Sequence, residues 1–556
     1  MPTIIEDLAL AVDHHQAGRF QAAAQLYRQV LQADPCQADA WYFLGVAHGQ
    51  LGEPREGADC IRRALAFRPD WPEARANLAN ALREQGELDE AANCCRLALE
   101  QQPDHAGALN ILGLICQEQG RLDEAVACFR RSIQSKPDVA VVYDNLGAAL
   151  REQGHLAEAE TWCRRSVDLD PNNAQAFNHL GEALLHQGRF AEAGACFQHA
   201  LALKPDYANA HCNLAIIVAE LGRLDEAAGY YRRALELQPG MVAAHWNQAL
   251  LWLLTGDFAR GWPEYEWRWQ TKLQQFTPRS YTRPLWNGEA LDGNTILLHA
   301  EQGFGDTIQF IRYAALVKRR HGAATVIVEC PKPLMRLLAG CPGIDRLVPS
   351  VNPALEFDVH CPLMSLPRIF QTTLESMPAE VPYLFPPPTV VATWREKLQN
   401  LHGFRVGIVW QGRNEHYTDL FRTIPLSFFV ALGEVPGISW ISLQKGSGKD
   451  QLKEMAGGWA VTDLGNDLED FLDTAAAIMN LHLLITCDTA VAHLAGALGV
   501  PVWVALLHLP DWRWLLDRED SPWYPTMRLF RQKRPRDWGP VFQEIEAELR
   551  RLKRAE

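Results

Sequence analysis

No stretch of this sequence approaches about eighteen uninterrupted apolar residues, so no membrane-spanning helix is expected. Positive charge is in short supply. Lys and Arg total 53 against 67 Asp and Glu, a formal net charge of −14. That balance excludes a general nucleic-acid or anionic-membrane binder, although a local basic groove stays open. The opening residues, Met1-Pro2-Thr3-Ile4-Ile5-Glu6-Asp7, lack a basic segment followed by an apolar one, so a signal peptide is not expected and the expected compartment is the cytoplasm. The 13 cysteines contain no C-x-x-C pair, and Cys94-Cys95 is an adjacent pair with poor geometry for a disulfide. Cys60, Cys94, Cys128 and Cys196 are separated by 34, 34 and twice 34 residues. They read as one small apolar slot of a repeat, hence as buried reduced thiols, and no metal site is expected.

The same interval governs the first part of the chain. Pro35, Pro69, Pro103, Pro137, Pro171, Pro205 and Pro239 fall every 34 residues. Leu44, Leu78, Leu112, Leu146, Leu180 and Leu214 keep the phase, as do Gly18, Gly52, Gly86, Gly120, Gly154, Gly188 and Gly222. Ala91, Ala125, Ala159, Ala193 and Ala227 do so too. Each unit reads as two amphipathic helices, with glycine in the tight turn and proline punctuating the passage onward. Such units cannot bury their apolar faces alone, so they stack into a superhelix with a concave inner face. The pattern resembles the tetratricopeptide repeat, which implies an all-α solenoid over residues 1–240 that binds another polypeptide.

One further slot is polar. Asn77, Asn145, Asn213 and Asn247 recur at multiples of 34, with Ile111 and His179 between them. Asparagine carries both a donor and an acceptor, so a row of them can clamp an extended peptide backbone; alternatively they stabilise the solenoid itself. The row is similar to that of the nucleocytoplasmic O-linked N-acetylglucosamine transferases.

The periodicity fades after Val242. The aromatic run Gly261-Trp262-Pro263-Glu264-Tyr265-Glu266-Trp267-Arg268-Trp269 reads as a capping helix that welds the solenoid to the C-terminal half, and residues 276–293 as a connector. Residues 241–285 are therefore taken as degenerate repeat, cap and connector. With 556 residues, two to four domains are expected.

Beyond this point strands alternate with helices. Residues 295–299 and 325–329 read as buried strands, with helices over 307–320 and from 334. A second series follows at 405–410, 440–443, 483–486 and 500–506, after Pro386-Pro387-Pro388. The expectation is two Rossmann-like lobes, 286–390 and 391–535, with ligands at the carboxyl ends of their strands. Residues 536–556 read as an amphipathic helix that could strap the lobes together.

Two loops carry chemical signal. Gly303-Phe304-Gly305-Asp306 lies between a strand and a helix, where glycines permit close approach and a carboxylate suits the helix start. Cys487-Asp488-Thr489-Ala490-Val491-Ala492-His493 ends a strand and opens a helix whose N–H groups suit phosphate, with His493 on the same face as Thr489. In this order, over roughly 290–540, the two loops resemble the glycosyltransferase family that includes the lipopolysaccharide heptosyltransferases. The resemblance implies a GT-B fold, Asp306 as catalytic base, and Asp488, Thr489 and His493 on the donor phosphates. Ala490 stands where that family usually has glycine. Arg422, before Pro425, matches a basic residue that would neutralise the leaving diphosphate. Gln411, Gln444 and Lys445 follow strands where nucleotide contacts would fall. Asp306 could instead cap its helix, His493 fill a core site, and Arg422 form a surface ion pair. No Asp-x-Asp sits at a convincing strand end, consistent with metal-independent transfer.

The combined expectation is an inverting glycosyltransferase. It uses a nucleotide sugar as co-substrate, no cofactor, and a protein acceptor presented by the solenoid; the fusion of the two halves resembles bacterial protein glycosyltransferases, including those that modify flagellin, and this resemblance implies the protein acceptor. The alternatives are a peptide-binding scaffold with an inactive transferase half, or a transferase acting on a carbohydrate or lipid.

Overall fold

A computed structural model describes residues 4–271, 279, 281–350, 355–412, 422–454 and 459–555. Phe276 and Pro278 of the connector, and Phe421 beside Arg422, lie outside them. The chain falls into two compact units, residues 1–213 and 214–556.

The first unit is helical throughout. Helices of 13 or 14 residues alternate from Ile4–Gln16 and Phe20–Ala33 to Ala174–His186 and Phe190–Leu203. The repeat glycines from Gly18 to Gly188 all take positive φ, between 71° and 82°, the left-handed turn conformation that a β-carbon resists. The alanine slot is buried because the two helices of a unit meet there, and Ala91, Ala125, Ala159 and Ala193 are all 0% exposed. On the first helix of a unit, the glycine after the leucine slot admits a large neighbour at two positions. A β-carbon on Gly113 would sit 2.5 Å from the Phe129 ring, and one on Gly181 would sit 2.5 Å from Phe197.

The second unit begins at Leu214, within the Ala208–Glu220 helix, and continues with Leu224–Leu237, Val242–Leu254 and Phe258–Tyr265, followed by a 3-10 turn at Glu266–Gln270. Its remainder carries two parallel sheets. The first has order β3-β2-β1-β4, from Arg346–Val348, Thr325–Glu329, Thr295–His299 and Val359–Pro362. The second has order β10-β9-β8-β5-β6-β7, from Met527–Arg531, Val502–Leu506, Leu483–Cys487, Phe404–Val409, Ile438–Ser442 and Val461–Asp463. Every ladder within the two sheets is parallel, so all strands of a sheet end at one edge. β1, β8 and β9 are apolar nearly throughout because both of their faces are covered.

Alternate residues of the second sheet feed different cores. Val409, Ile441, Leu443, Leu484, Val502 and Val504 join one cluster with the first sheet and with Leu253, Phe258, Trp262 and Tyr265. The aromatic cap is thus continuous with the sheet core. Val406, Ile408, Trp440 and Ile485 face the other way.

Two expectations need correction. The single helix expected over 307–320 is two, Phe304–Phe310 and Tyr313–His321. Arg312 sits at the break, and its Nε donates to the Gln309 carbonyl at 2.8 Å, taking the acceptor that would continue the helix. The carboxyl-terminal helix, Gly539–Ala555, does not strap the lobes. Its stripe of Val541, Phe542, Ile545 and Leu549 packs wholly into the outer core of the second sheet.

Candidate functional site

The two signature loops meet. Gly303 ends the loop after β1 and opens the Phe304–Phe310 helix. Asp306, in the first turn, reaches back so that its Oδ2 accepts the Gly303 N–H at 2.8 Å. This is the acidic arm of a capping box, which places negative charge at the positive helix end. On the second sheet, Cys487 ends β8 and Thr489 caps the Ala490–Ala497 helix in extended conformation. Gly305 lies directly against that helix. A β-carbon there would stand 2.9 Å from His493 Cδ2 and 3.4 Å from Ala490 Cα. The glycine of one motif is the space occupied by the histidine of the other.

His493 is buried on every side. Its ring stacks on Trp514 at 5.1 Å, and its Nδ1 lies 3.1 Å from the Tyr524 hydroxyl. Burial, with Arg513, Arg312 and Arg422 nearby, holds its pKa well below the ordinary value. It is therefore a neutral imidazole at physiological pH, able to contribute a hydrogen bond but no positive charge.

The cation between the loops is one that the sequence did not reveal. Arg513 lies in the Trp512–Trp514 turn after β9. Its Nη2 donates to Asp306 Oδ1, its Nη1 to Asp511 Oδ1 at 2.9 Å, and its Nε to Gln309 Oε1 at 2.9 Å. Its guanidinium lies 4.1 Å from the centre of the Trp512 ring. The only outward sign is an arginine flanked by two tryptophans, which alone reads as packing. Asp306 is held by opposing influences. Burial raises its pKa, Arg513 and the Gly303 N–H lower it, Asp511 raises it, and the net shift is upward. Asp488, at the end of β8, is pushed to about 6, first by burial and then by the charge of Asp511, against the pull of Arg422. Carboxylates poised towards neutrality beside fixed cations suit proton transfer.

The lobes are bound further by the cap. Arg268, fully buried, donates from Nε and Nη2 to Glu301 at 3.0 and 2.9 Å and from Nη2 to Ser365 at 2.8 Å. Gln302 Nε2 donates to the Tyr265 hydroxyl at 2.9 Å, and Trp262 and Trp512 meet edge to face at 5.2 Å. The loop that carries Asp306 is thereby fixed from the cap side as well.

The remaining candidates divide. Arg422 is half-buried, close enough to influence Asp488, His493 and Cys487. Thr489 Oγ1 lies 3.3 Å from Thr486 Oγ1. Gln444 is spent on the chain itself. Its Oε1 accepts from the N–H groups of Trp410 and Gln411, both at 3.1 Å, and its Nε2 donates to the carbonyls of Gln411 and Ser447. It shapes the loops after β5 and β6. Gln411 is buried beside Gly448, and Lys445 donates to the carbonyls of Leu468 and Glu469.

In the solenoid, the asparagines bridge repeats. Asn77 Nδ2 donates to the Tyr42 hydroxyl at 2.6 Å and Asn145 Nδ2 to Asn110 Oδ1 at 2.9 Å. Asn213 Nδ2 donates to Asn178 Oδ1 and Glu182 Oε1, both at 3.0 Å. His179 occupies the same slot and lies 2.9 Å from Asp144 Oδ1. Partners 35 residues apart recur, so these amide donors serve the stacking of one unit on the previous one. Asn247 lies half-buried on the Val242–Leu254 helix.

Comparison with known proteins bears on the helical half. Tetratricopeptide repeat families match residues 14–81, 76–140, 140–173 and 172–239. The N-terminal part of the chain is thus a run of tetratricopeptide repeats, which suggests a protein-interaction surface. Over 319 residues the chain is 26% identical to Protein FlbA of Caulobacter vibrioides, covering 54% of this chain and 53% of that protein. The chain therefore spans about half the length of this curated relative. Among solved structures, PilF of Pseudomonas aeruginosa is 24% identical, covering 38% of this chain and 96% of that one with a TM-score of 0.34. A tetratricopeptide repeat protein of Parabacteroides merdae is 17% identical, covering 45% and 98% with a TM-score of 0.38.

Proposed function

We propose that the chain is a glycosyltransferase with a GT-B arrangement, moving a sugar from a nucleotide-sugar donor to a protein acceptor bound by the repeats. The reading rests on one observation above all. Three segments that follow strands of two parallel sheets converge: the loop after β1 meets the helix after β8 where Gly305 lies against His493, and meets the turn after β9 where Asp306 accepts from Arg513. In open parallel sheets the carboxyl edge of the strands is where ligands bind.

In this mechanism the donor diphosphate lies at the N-terminus of the Ala490–Ala497 helix, near Thr489, Asp488 and Arg422. Asp306 takes the proton from the acceptor hydroxyl. The oxygen bonds to the anomeric carbon as the bond from that carbon to phosphate breaks on the opposite face. The nucleotide departs with the electron pair, and the configuration inverts. Helix N–H groups and arginine stabilise the departing charge, so transfer proceeds without a divalent metal. Neutral His493 contributes a hydrogen bond only.

The experiment is calorimetric titration of the full chain with a panel of nucleotides, followed by mass spectrometry of proteins from cells with and without the chain. Binding of one nucleotide, a hexose-sized or larger mass addition, and loss of that addition in Asp306→Asn support the reading. No binding by any nucleotide sinks it. A second reading is favoured by the in-chain commitments of Asp306 and Gln444: a peptide-binding scaffold whose α/β half is inactive. It predicts partner capture by the repeats that Asp306→Asn leaves untouched, with no added mass.

A further inference from the structure

We propose that Arg513 is a positioning residue for proton transfer: it fixes the carboxylate of Asp306 and sets its positive charge directly beside it. The inference rests on the transferase reading.

Arg513 spans the two sheets. It belongs to the turn after β9, yet two of its three donor nitrogens end on the Phe304–Phe310 helix, at Asp306 and Gln309. The third is held by Asp511, which also accepts the Arg513 backbone N–H at 3.0 Å. With Trp512 beneath the guanidinium, no torsion of the side chain is left free. A planar fork held at every nitrogen presents a fixed edge, and the carboxylate that meets it takes a fixed plane. Gly303 N–H holds the other oxygen of Asp306. The carboxylate is thus pinned at both oxygens, and each oxygen keeps a further lone pair.

The surrounding charges decide the direction of each test. From the turn after β9, Arg513 pairs with Asp306 and Asp511 acts on it by charge, while His493 of the Ala490–Ala497 helix stands against the neighbouring Gly305. Tyr265 approaches from the Phe258–Tyr265 helix, and Asp488, after β8, feels the same Asp511 and Arg513. His493 and Tyr265 are both held neutral by burial. Burial most strongly opposes ionisation of Asp306; of the charged side chains around it, Arg513 favours the ionised form and Asp511 opposes it.

The test is release of nucleotide from UDP-, GDP-, CMP- and dTDP-linked sugars by the full chain, with water as acceptor, followed from pH 4 to 9. Activity needs ionised Asp306, so it falls on the acidic side. Arg513→Gln removes a positive neighbour and should move that acidic limb to higher pH, by about 1–3 units. Arg513→Lys keeps the charge but not the fork: its limb should stay near the wild-type position while kcat falls more than KM rises. Asp511→Asn, at a more exposed side chain, keeps the test decisive should Arg513→Gln fail to fold. It removes a negative neighbour and should move the limb to lower pH. Opposite shifts for Arg513→Gln and Asp511→Asn support the assignment; where Arg513→Gln does not fold, the Asp511→Asn shift supports it only together with a fall in kcat at an unmoved limb in Arg513→Lys, because Asp511 also acts on Asp488. A limb that stays in place in Arg513→Gln, or in Asp511→Asn where Arg513→Gln does not fold, overturns it, whatever happens to the rate, because an arginine that does not act on the charge of Asp306 changes rates and not the titration. A wild-type chain that releases nucleotide from none of these donors overturns the transferase reading and this assignment with it.

Discussion

Gly305→Ala is the most direct probe of whether the two motifs interlock. Gly305 does not adopt the left-handed conformation, so its backbone admits alanine. It lies inside the Phe304–Phe310 helix, where alanine gains at most about 0.5–1 kcal/mol over glycine. Against this stands the contact. The added carbon would lie 2.9 Å from His493 Cδ2 and 3.4 Å from Ala490 Cα. The imidazole cannot retreat easily, since Trp514 stacks on it and the Tyr524 hydroxyl holds Nδ1. Overpacking of a closed site costs about 1–3 kcal/mol. Gly305→Ala should therefore destabilise the chain by a net amount of up to about 2 kcal/mol, the difference of these two effects. In a His493→Ala background the obstacle is gone and only the helix gain remains, so the same substitution should stabilise by about 0.5–1 kcal/mol. The sign reverses, and the coupling is about 1–3 kcal/mol. Urea unfolding of the four full-length proteins, followed by tryptophan fluorescence, measures the cycle. An equal cost of Gly305→Ala in both backgrounds would refute the interlock.

Two other substitutions have outcomes set by particular side chains. Asn213→Ala removes donors to Asn178 and Glu182 and should destabilise the repeats by about 1–3 kcal/mol with no peptide present; hydrogen exchange across residues 174–220 reads it, and unchanged protection would return the asparagine to a role in binding alone. Asp488 carries a folded-state pKa of about 6 against an ordinary 3.8. The folded state thus holds this proton more tightly than the unfolded one, so the side chain costs stability as pH rises from about 4 through 6. Asp488→Asn should remove that cost: its unfolding free energy from urea titration should exceed the wild-type value at pH 8, by about 2–3 kcal/mol, and converge on it near pH 4. A difference independent of pH would refute the raised pKa.

Legibility in the sequence tracked how far an interaction reaches along the chain. The repeats were plain because each unit states its own rule: the left-handed glycine, the buried alanine and the punctuating proline all act within one unit of 34 residues. β1, β2, β5 and β8 were equally plain, as short continuous apolar runs of strands buried on both faces. β3 and β7 have three residues each, and Val461–Asp463 carries a threonine and an aspartate, so neither rises above its flanks. The break at Arg312 was hidden for a different reason. The sequence is helical on both sides, and a tertiary demand decides: the buried guanidinium must also meet the carbonyl of Trp523 and the hydroxyl of Tyr383, at 2.9 and 2.8 Å.

The site was half legible by the same logic. Asp306 and His493 announce themselves because glycine and helix-start chemistry surround them locally. Arg513 does not, because what gives it meaning lies 207 residues away at Asp306 and 204 away at Gln309. Even the glycines were read for a neighbour they do not have first. Gly305 was expected to permit the close approach of backbone or ligand, and what approaches it is His493. The distinction changes what each motif is for. A glycine that faces a ligand constrains only the bound state. One that faces a buried, neutral histidine from the other sheet constrains the free protein, fixing the distance between the two strand edges before anything binds. Preorganisation of that kind is what a site made from two sheets requires, since neither sheet alone positions both Asp306 and Asp488.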